Sequence, residues 1–308
     1  MTDVALLGPQ YRAPNLKDCL DRLGIVGPLV AITAGWQERE GELDELRTHV
    51  GQPVADLALY ARAEAVQAAD PELAAAMRER QHDLQELQEL YRTRLAALML
   101  ALTELAAETQ VSSARRRAWL AALVDVRRLD RSHLVSTARV QASFRRRWQP
   151  HARPSVVTQV ADIEHALDGA GAVLIAGGHV AVLMNRLRLF GCETLLRGKT
   201  LIGWSAGAMA LSERIVLFHD RPPQGAAHAE VLEAGLGLVS GVVALPHAHV
   251  RLALEDAPRM RDFARRFAPA RCLTLEHGAA LHWHAGALAS ALEVSQITRT
   301  GRVTELEP

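Results

Sequence analysis

Short apolar runs, most of them closed by glycine or proline, constrain this chain more than anything else in it. Val4-Ala5-Leu6-Leu7 stops at Gly8-Pro9, Leu29-Val30-Ala31-Ile32-Thr33 is followed by Gly35, and Ala172-Val173-Leu174-Ile175-Ala176 runs into Gly177-Gly178. Leu201-Ile202, Val242-Val243-Ala244-Leu245 and Cys272-Leu273-Thr274-Leu275 repeat the pattern further on. Runs this short and this uniformly apolar read as strands buried on both faces of a parallel sheet, and helix-compatible stretches lie between them. The alternation predicts an α/β fold: a doubly wound, mostly parallel sheet with helices on both sides.

The alternation is broken once. From about Asp56 to Trp148 there is no glycine and no strand-like run. Leu84, Leu87, Tyr91, Leu95, Leu98, Leu102 and Leu105 recur at steps of three and four, and a second helical stretch carries Trp119, Leu123 and Val126. The expected organisation is an α/β domain made of residues 1–55 and 150–308, with an inserted helical hairpin or bundle over 56–149. Dimerisation, or a lid over the site, is the use expected of the insertion. The arginine clusters at 115–117 and 145–147 read as a solvated face or as partners of nearby glutamates.

Composition excludes several function classes. Thirty-five Lys and Arg balance 35 Asp and Glu, so a general nucleic-acid binder is not expected. No apolar run approaches the ~20 residues of a membrane span, and Met1-Thr2-Asp3-Val4 lacks the basic and apolar regions of a signal peptide. Cys19, Cys192 and Cys272 are odd in number and widely spaced, which fits free thiols in a cytoplasmic protein rather than a disulfide framework or a C-x-x-C metal site.

The chemistry centres on Gly203-Trp204-Ser205-Ala206-Gly207-Ala208. An apolar run precedes it and helix-compatible Met209-Ala210-Leu211 follows, and strand, sharp turn, helix is the setting in which a G-x-S-x-G serine becomes a nucleophile. The turn lifts the Ser205 hydroxyl off the sheet edge and aims the Ala206 N–H at the place where an oxyanion forms. Ligands of an open parallel sheet bind beyond the carboxyl ends of its strands. Gly177-Gly178-His179, His247 and Glu276 follow other strand runs, so a base, an acid and a glycine turn fall where the sheet can gather them around Ser205. Gly178 is the natural second oxyanion donor, because glycine permits close approach.

These residues resemble the serine peptidases that include aspartyl dipeptidase (peptidase E) and cyanophycinase. The family's nucleophile motif, G-x-S-A-G-A, is matched at every fixed position by Gly203 to Ala208, and its Gly-Gly oxyanion turn by Gly177-Gly178. Its base is a histidine at a strand end about forty residues after the serine, and His247 lies 42 residues after Ser205. Its acid sits in a segment like Leu275-Glu276-His277-Gly278-Ala279. The resemblance implies a class I glutamine amidotransferase-like, flavodoxin-like three-layer fold, a Ser205-His247-Glu276 triad working through an acyl-enzyme, a small peptide or amide as substrate, and a homodimer. It implies neither metal nor organic cofactor. It covers residues 1–50 loosely and 155–290 well, but not the helical insertion.

This chain departs from the family at His179, at Trp204, where a small residue is usual, and over His247-Ala248-His249-Val250-Arg251. His179, Trp204, His249 and Arg251 are accordingly the expected substrate contacts, with His249 a rival to His247 as base. Asp220 and Asp256 are fallback acids. The H-x-H pairs at 247/249 and 282/284 allow a zinc hydrolase to be imagined beside Glu276, since strand spacing puts both imidazoles of a pair on one face. Two other readings stay open: an inactive scaffold that binds through the helical insertion, and an α/β-hydrolase esterase with Asp256 as acid and His282 or His284 as base.

Overall fold

The computed structural model describes residues 3–106, 112–220 and 228–306; Met1 and Thr2, part of the N-terminal reading above, lie outside them. The first segment runs β1 (Asp3–Leu7), α1 (Leu16–Arg22), β2 (Leu29–Ile32), α2 (Asp44–Val50) and β3 (Val54–Asp56). Three helices follow: α3 (Leu59–Ala69), α4 (Pro71–Ala106) and α5 (Ser113–Trp148). The α/β alternation resumes with α6 (Pro154–Leu167), β4 (Ala172–Ile175), α7 (Val180–Leu189), α8 (Cys192–Leu195), β5 (Leu201–Trp204) and α9 (Ala206–Leu211). The chain continues through β6 (Arg214–Leu217), β7 (Glu230–Ala234), β8 (Val242–Pro246), α10 (Ala248–Arg251) and α11 (Ala257–Phe267), and then β9 (Arg271–His284), β10 (Ala287–Ile297) and β11 (Val303–Glu305). Among the described residues no helix is long and apolar enough to cross a membrane.

Nine strands form one sheet in the order β11-β10-β9-β1-β5-β4-β2-β3, with β8 also paired to β9. The block from β1 to β3 is parallel throughout. Alternate residues of each strand go to opposite faces. Val4, Leu6, Val30, Ile32, Val173 and Ile175 join the larger core, under α6, α7, α9 and α11. Ala5, Leu7, Leu29, Ala31, Ala172 and Leu174 join a second core, under α1 and α2. Burial on both faces is why these strands lack polar alternation in the sequence.

The mixed half of the sheet differs from the reading that Glu276 follows the end of a strand run. Strand β9 is continuous for 14 residues, and Glu276 lies within it. Its first half pairs parallel with β8, Val242 opposite Arg271 through Pro246 opposite Leu275. Its second half pairs antiparallel with β1, Leu7 opposite Ala280 through Asp3 opposite His284. The ends of β1 and β8 therefore point at each other across the middle of β9. Gly278, at φ 84°, bends the strand between its two partners. The polar Glu276-His277-Gly278 stretch reads like a strand end because each side of it is paired by a different neighbour.

Helices α4 and α5 form an antiparallel hairpin. Arg115 reaches back to the Leu105 and Glu104 carbonyls at one end, Tyr91 donates to Asp130 midway, and Arg80 stacks on Phe144 near the other end. Asp70 caps the start of α4 through the Leu73 N–H and pairs with Arg153, so the two ends of the hairpin are clasped together. The hairpin lies along α11 and β7. Arg266 of α11 is fully enclosed against Asp130 (Nε–Oδ2 and Nη2–Oδ1 both 2.7 Å), Tyr91 Oη (2.8 Å) and the Ala229 carbonyl (2.8 Å). Of the arginine clusters, Arg145 faces Glu193 across 3.7 Å.

Candidate active site

The strand-to-helix turn after β5 has the geometry its sequence predicts. Ser205 adopts φ 50°, ψ −116°, a conformation rare for a residue with a side chain. Its N–H bonds the Leu7 carbonyl of β1 at 3.3 Å, and its carbonyl accepts the Met209 N–H at 3.2 Å, which starts α9. The turn is possible because α9 packs directly on the strand ends. A Cβ on Gly207 would overlap the Ile175 carbonyl of β4, so only glycine fits there.

Gly177-Gly178 lies against the same turn. A Cβ built on Gly177 would come within 2.9 Å of the Ser205 Cβ and 3.6 Å of the Ala206 nitrogen. Gly178 has φ 103° and presses on the Gly35 carbonyl, which accepts the His179 N–H at 2.8 Å. That bond fixes the peptide after Gly178 and leaves the Gly178 N–H unpaired among the described residues, as is the Ala206 N–H in the free first turn of α9.

These groups open onto a cavity of about 1120 Å³, lined among others by Tyr11, Trp36, Gly177, Gly178, Trp204, Ser205, Ala206, His219, His247 and Arg251. Among the described residues, none of the α4–α5 hairpin lines it. His247 follows β8 in the left-handed region, φ 59°, ψ 34°. This residue and Ser205 both hold positive φ, and backbone strain of that kind gathers at functional sites. The His247 ring stacks on Tyr11 (centroids 5.8 Å apart) and meets His277 edge-on (6.1 Å). Burial lowers its pKa, Arg251 lowers it further, and Glu276 works in the opposite direction. The net lowering favours a neutral imidazole in the cavity that Ser205 also lines, and the Ser205 hydroxyl has no hydrogen-bond partner among the described residues, His247 included.

The structure separates the two rival histidines. His249 lies in α10 outside the cavity lining, 66% exposed, and its N–H and Nδ1 meet the Glu276 carboxylate at 2.9 and 3.1 Å. Glu276 thus holds His249 directly and acts on His247 through its charge. Trp204 lines the cavity. His179 does not; its Nδ1 accepts the Val182 N–H at 3.3 Å and caps α7. Arg251 lines the cavity with no hydrogen-bond or ion-pair partner for its guanidinium among the described residues, and burial lowers its pKa. The fallback acids are engaged elsewhere: Asp220 pairs with Arg259, and Asp256 caps α11 through the Arg259 N–H. Tyr11, His219 and His277 were not anticipated. They reach the site from separate loops and from mid-β9, so no local pattern announces them. No cysteine lines the cavity, and burial pushes Cys19 up to about 11 and Cys272 up to about 12, which keeps both thiols protonated.

The sequence model of peptidase family S51 matches residues 134–290, which spans β4, the Ser205 turn, β8 and all of β9. The chain belongs to peptidase family S51. The matched region takes in the S51 chain's Gly177-Gly178 turn, Ser205, His247 and Glu276, and leaves out β1, β2 and most of the hairpin. Among solved structures, this S51 chain is similar to the crystal structure of a peptidase from an acI-B1 Actinobacterium, at 14% identity and a TM-score of 0.45 over 97% of this chain and 91% of that one. No curated protein matches it.

Proposed function

We propose that this S51 peptidase is a serine hydrolase that cleaves a small peptide or related amide through an acyl-enzyme. The observation that carries the reading is the convergence of Ser205 and His247, each strained into positive φ at a strand end, on one cavity beside two unpaired backbone N–H groups. Ser205 Oγ attacks the scissile carbonyl while His247 takes its proton. The N–H groups of Gly178 and Ala206 receive the oxyanion. Collapse of the tetrahedral intermediate expels the amine, which leaves with the proton from His247. Water, deprotonated by His247, then attacks the ester and frees Ser205. Glu276 favours the imidazolium that forms in both halves, and its grip on His249 holds the α10 turn in place. The free guanidinium of Arg251 suits a substrate carboxylate, which it can take with two parallel hydrogen bonds.

The exposed apolar side chains Leu90, Leu100, Leu120 and Val124 on the hairpin support its use as a homodimer surface. Three buried, unpaired thiols fit the reducing conditions of the cytoplasm.

The test is labelling of the purified chain with a fluorophosphonate, with peptide mapping and a dipeptide-library screen alongside. Labelling at Ser205 that disappears in Ser205→Ala and His247→Gln, together with library turnover lost in both variants, is the expected result. Labelling that survives His247→Gln unchanged would sink the base assignment. Turnover that survives Ser205→Ala would sink the mechanism.

A further inference from the structure

A second cluster of chemically able side chains lies at the opposite end of the sheet. The antiparallel register of β1 and β9 sets Asp3 opposite His284 and Ala5 opposite His282. Side chains two apart on a strand share a face, so Asp3, His282 and His284 project together, on the face where the small side chains of Ala5 and Ala280 lie. One oxygen of Asp3 meets His282 Nε2 at 2.7 Å and His284 Nδ1 at 2.8 Å. One donor atom from each of the three residues lies within 4.8 Å of the others. The second carboxylate oxygen and both outer ring nitrogens have no protein partner among the described residues.

We propose that Asp3, His282 and His284 form a site for a late first-row divalent cation, zinc in the first instance, which clips the start of β1 to the end of β9. The two imidazoles are borderline donors, and with one carboxylate they make a set of two histidines and one aspartate that favours zinc and its neighbours over magnesium or calcium. Donors of a tetrahedral zinc site stand about 3.3 Å apart, so the Asp3 oxygen need draw back from each ring nitrogen by only about half an ångström. With each outer nitrogen free, a neutral histidine carries its proton there and turns the bare nitrogen inward. Three protein ligands leave the fourth position to water. The strand rise places this cluster about 13 Å from Leu7 and the Ser205 turn, and no residue of the cavity belongs to it. Its work is therefore structural: it reinforces the join between residues 3 and 284, which sheet pairing and the Asp3 side-chain contacts otherwise make alone.

The experiment titrates the untagged full chain with zinc chloride by calorimetry and follows thermal unfolding. The expected result is a saturable equivalent that raises Tm by roughly 5 °C at saturation. Asp3→Asn and His284→Gln each weaken it about tenfold or more, while His249→Gln, which alters the other histidine pair, leaves it unchanged. Asp3→Asn keeps the side-chain shape, and unchanged far-ultraviolet circular dichroism shows that the variant is folded. Absence of saturable binding, binding indifferent to Asp3→Asn and His284→Gln, or binding lost in His249→Gln overturns the proposal.

Discussion

Replacing Asp130 by alanine tests how firmly the helical hairpin is joined to the α/β body. The Asp130 and Arg266 side chains are 6% and 2% exposed, and they meet through two hydrogen bonds of 2.7 Å. Tyr91 Oη completes the network by donating to Asp130 at 2.9 Å and accepting the Val231 N–H at 3.0 Å. Burial works against the Arg266 charge, and Asp130 and Tyr91 more than offset it, so its pKa is held above the usual arginine value. In Asp130→Ala the guanidinium keeps only a carbonyl and a phenol for company. Breaking a buried pair in this way costs about 3–5 kcal/mol. That is a large share of the roughly 5–15 kcal/mol by which domains are stable, and it lowers Tm by roughly 10 °C. Removing both charges together, in Asp130→Leu with Arg266→Met, restores stability to within about 1 kcal/mol of the parent, because no ion is left without its partner. Urea unfolding followed by circular dichroism measures all three proteins. Fluorophosphonate labelling of Ser205 well below the transition should be unaffected, since the hairpin lends no residue to the cavity. A loss below about 1 kcal/mol in the single variant, or a double variant as unstable as the single, refutes the reasoning.

Gly178→Ala puts a Cβ into the Gly35 carbonyl at φ 103° and turns the oxyanion donor away; kcat should fall about 10²-fold or more with KM little changed, and an unchanged kcat removes Gly178 from the oxyanion hole. The acid limb of kcat/KM should lie below the ordinary histidine range, because burial and then Arg251 lower the pKa of His247 and a base must be neutral to act. Arg251→Met deletes a repelling positive charge and should move that limb to higher pH, whereas Glu276→Gln deletes an attracting negative charge and should move it lower while reducing kcat. A shift opposite to the predicted sign, or none, in either variant would show that its charge does not act on His247 in this way.

The parallel half of the sheet is readable in the sequence because burial on both faces leaves uniform apolar runs at β1, β2, β4, β5 and β8. The hairpin is readable because two long helices repeat a leucine stripe on the scale of the helical turn. The short strands β3, β6 and β7 carry no such mark, since residues such as Ala55, Arg214 and Glu230 are partly or fully exposed within them. Strand β9 misleads for the opposite reason: its polar centre is covered by strand ends from distant parts of the chain. In the site, Ser205, Gly178 and Ala206 are legible because their local turn has strict steric demands. Choosing between His247 and His249 requires the left-handed turn at His247, which sends one ring into the cavity and the other to Glu276. His179 looks like a ligand after a glycine pair but serves as a helix cap. The pairing of His282 and His284 with Asp3 rather than with Glu276 depends on a strand register that joins opposite ends of the chain.

Strand β9 acts as a splint across two strand ends that do not pair with each other. It is also made late: β1 waits for nearly the whole chain before it gains its second neighbour, a connection of high contact order. A growing polypeptide that has reached residue 270 already carries the Ser205 and His247 turns, yet it lacks the piece that holds β1 and β8 in line. Under the proposed mechanism, a chain without β9 carries its nucleophile and base on strand ends that nothing holds in line.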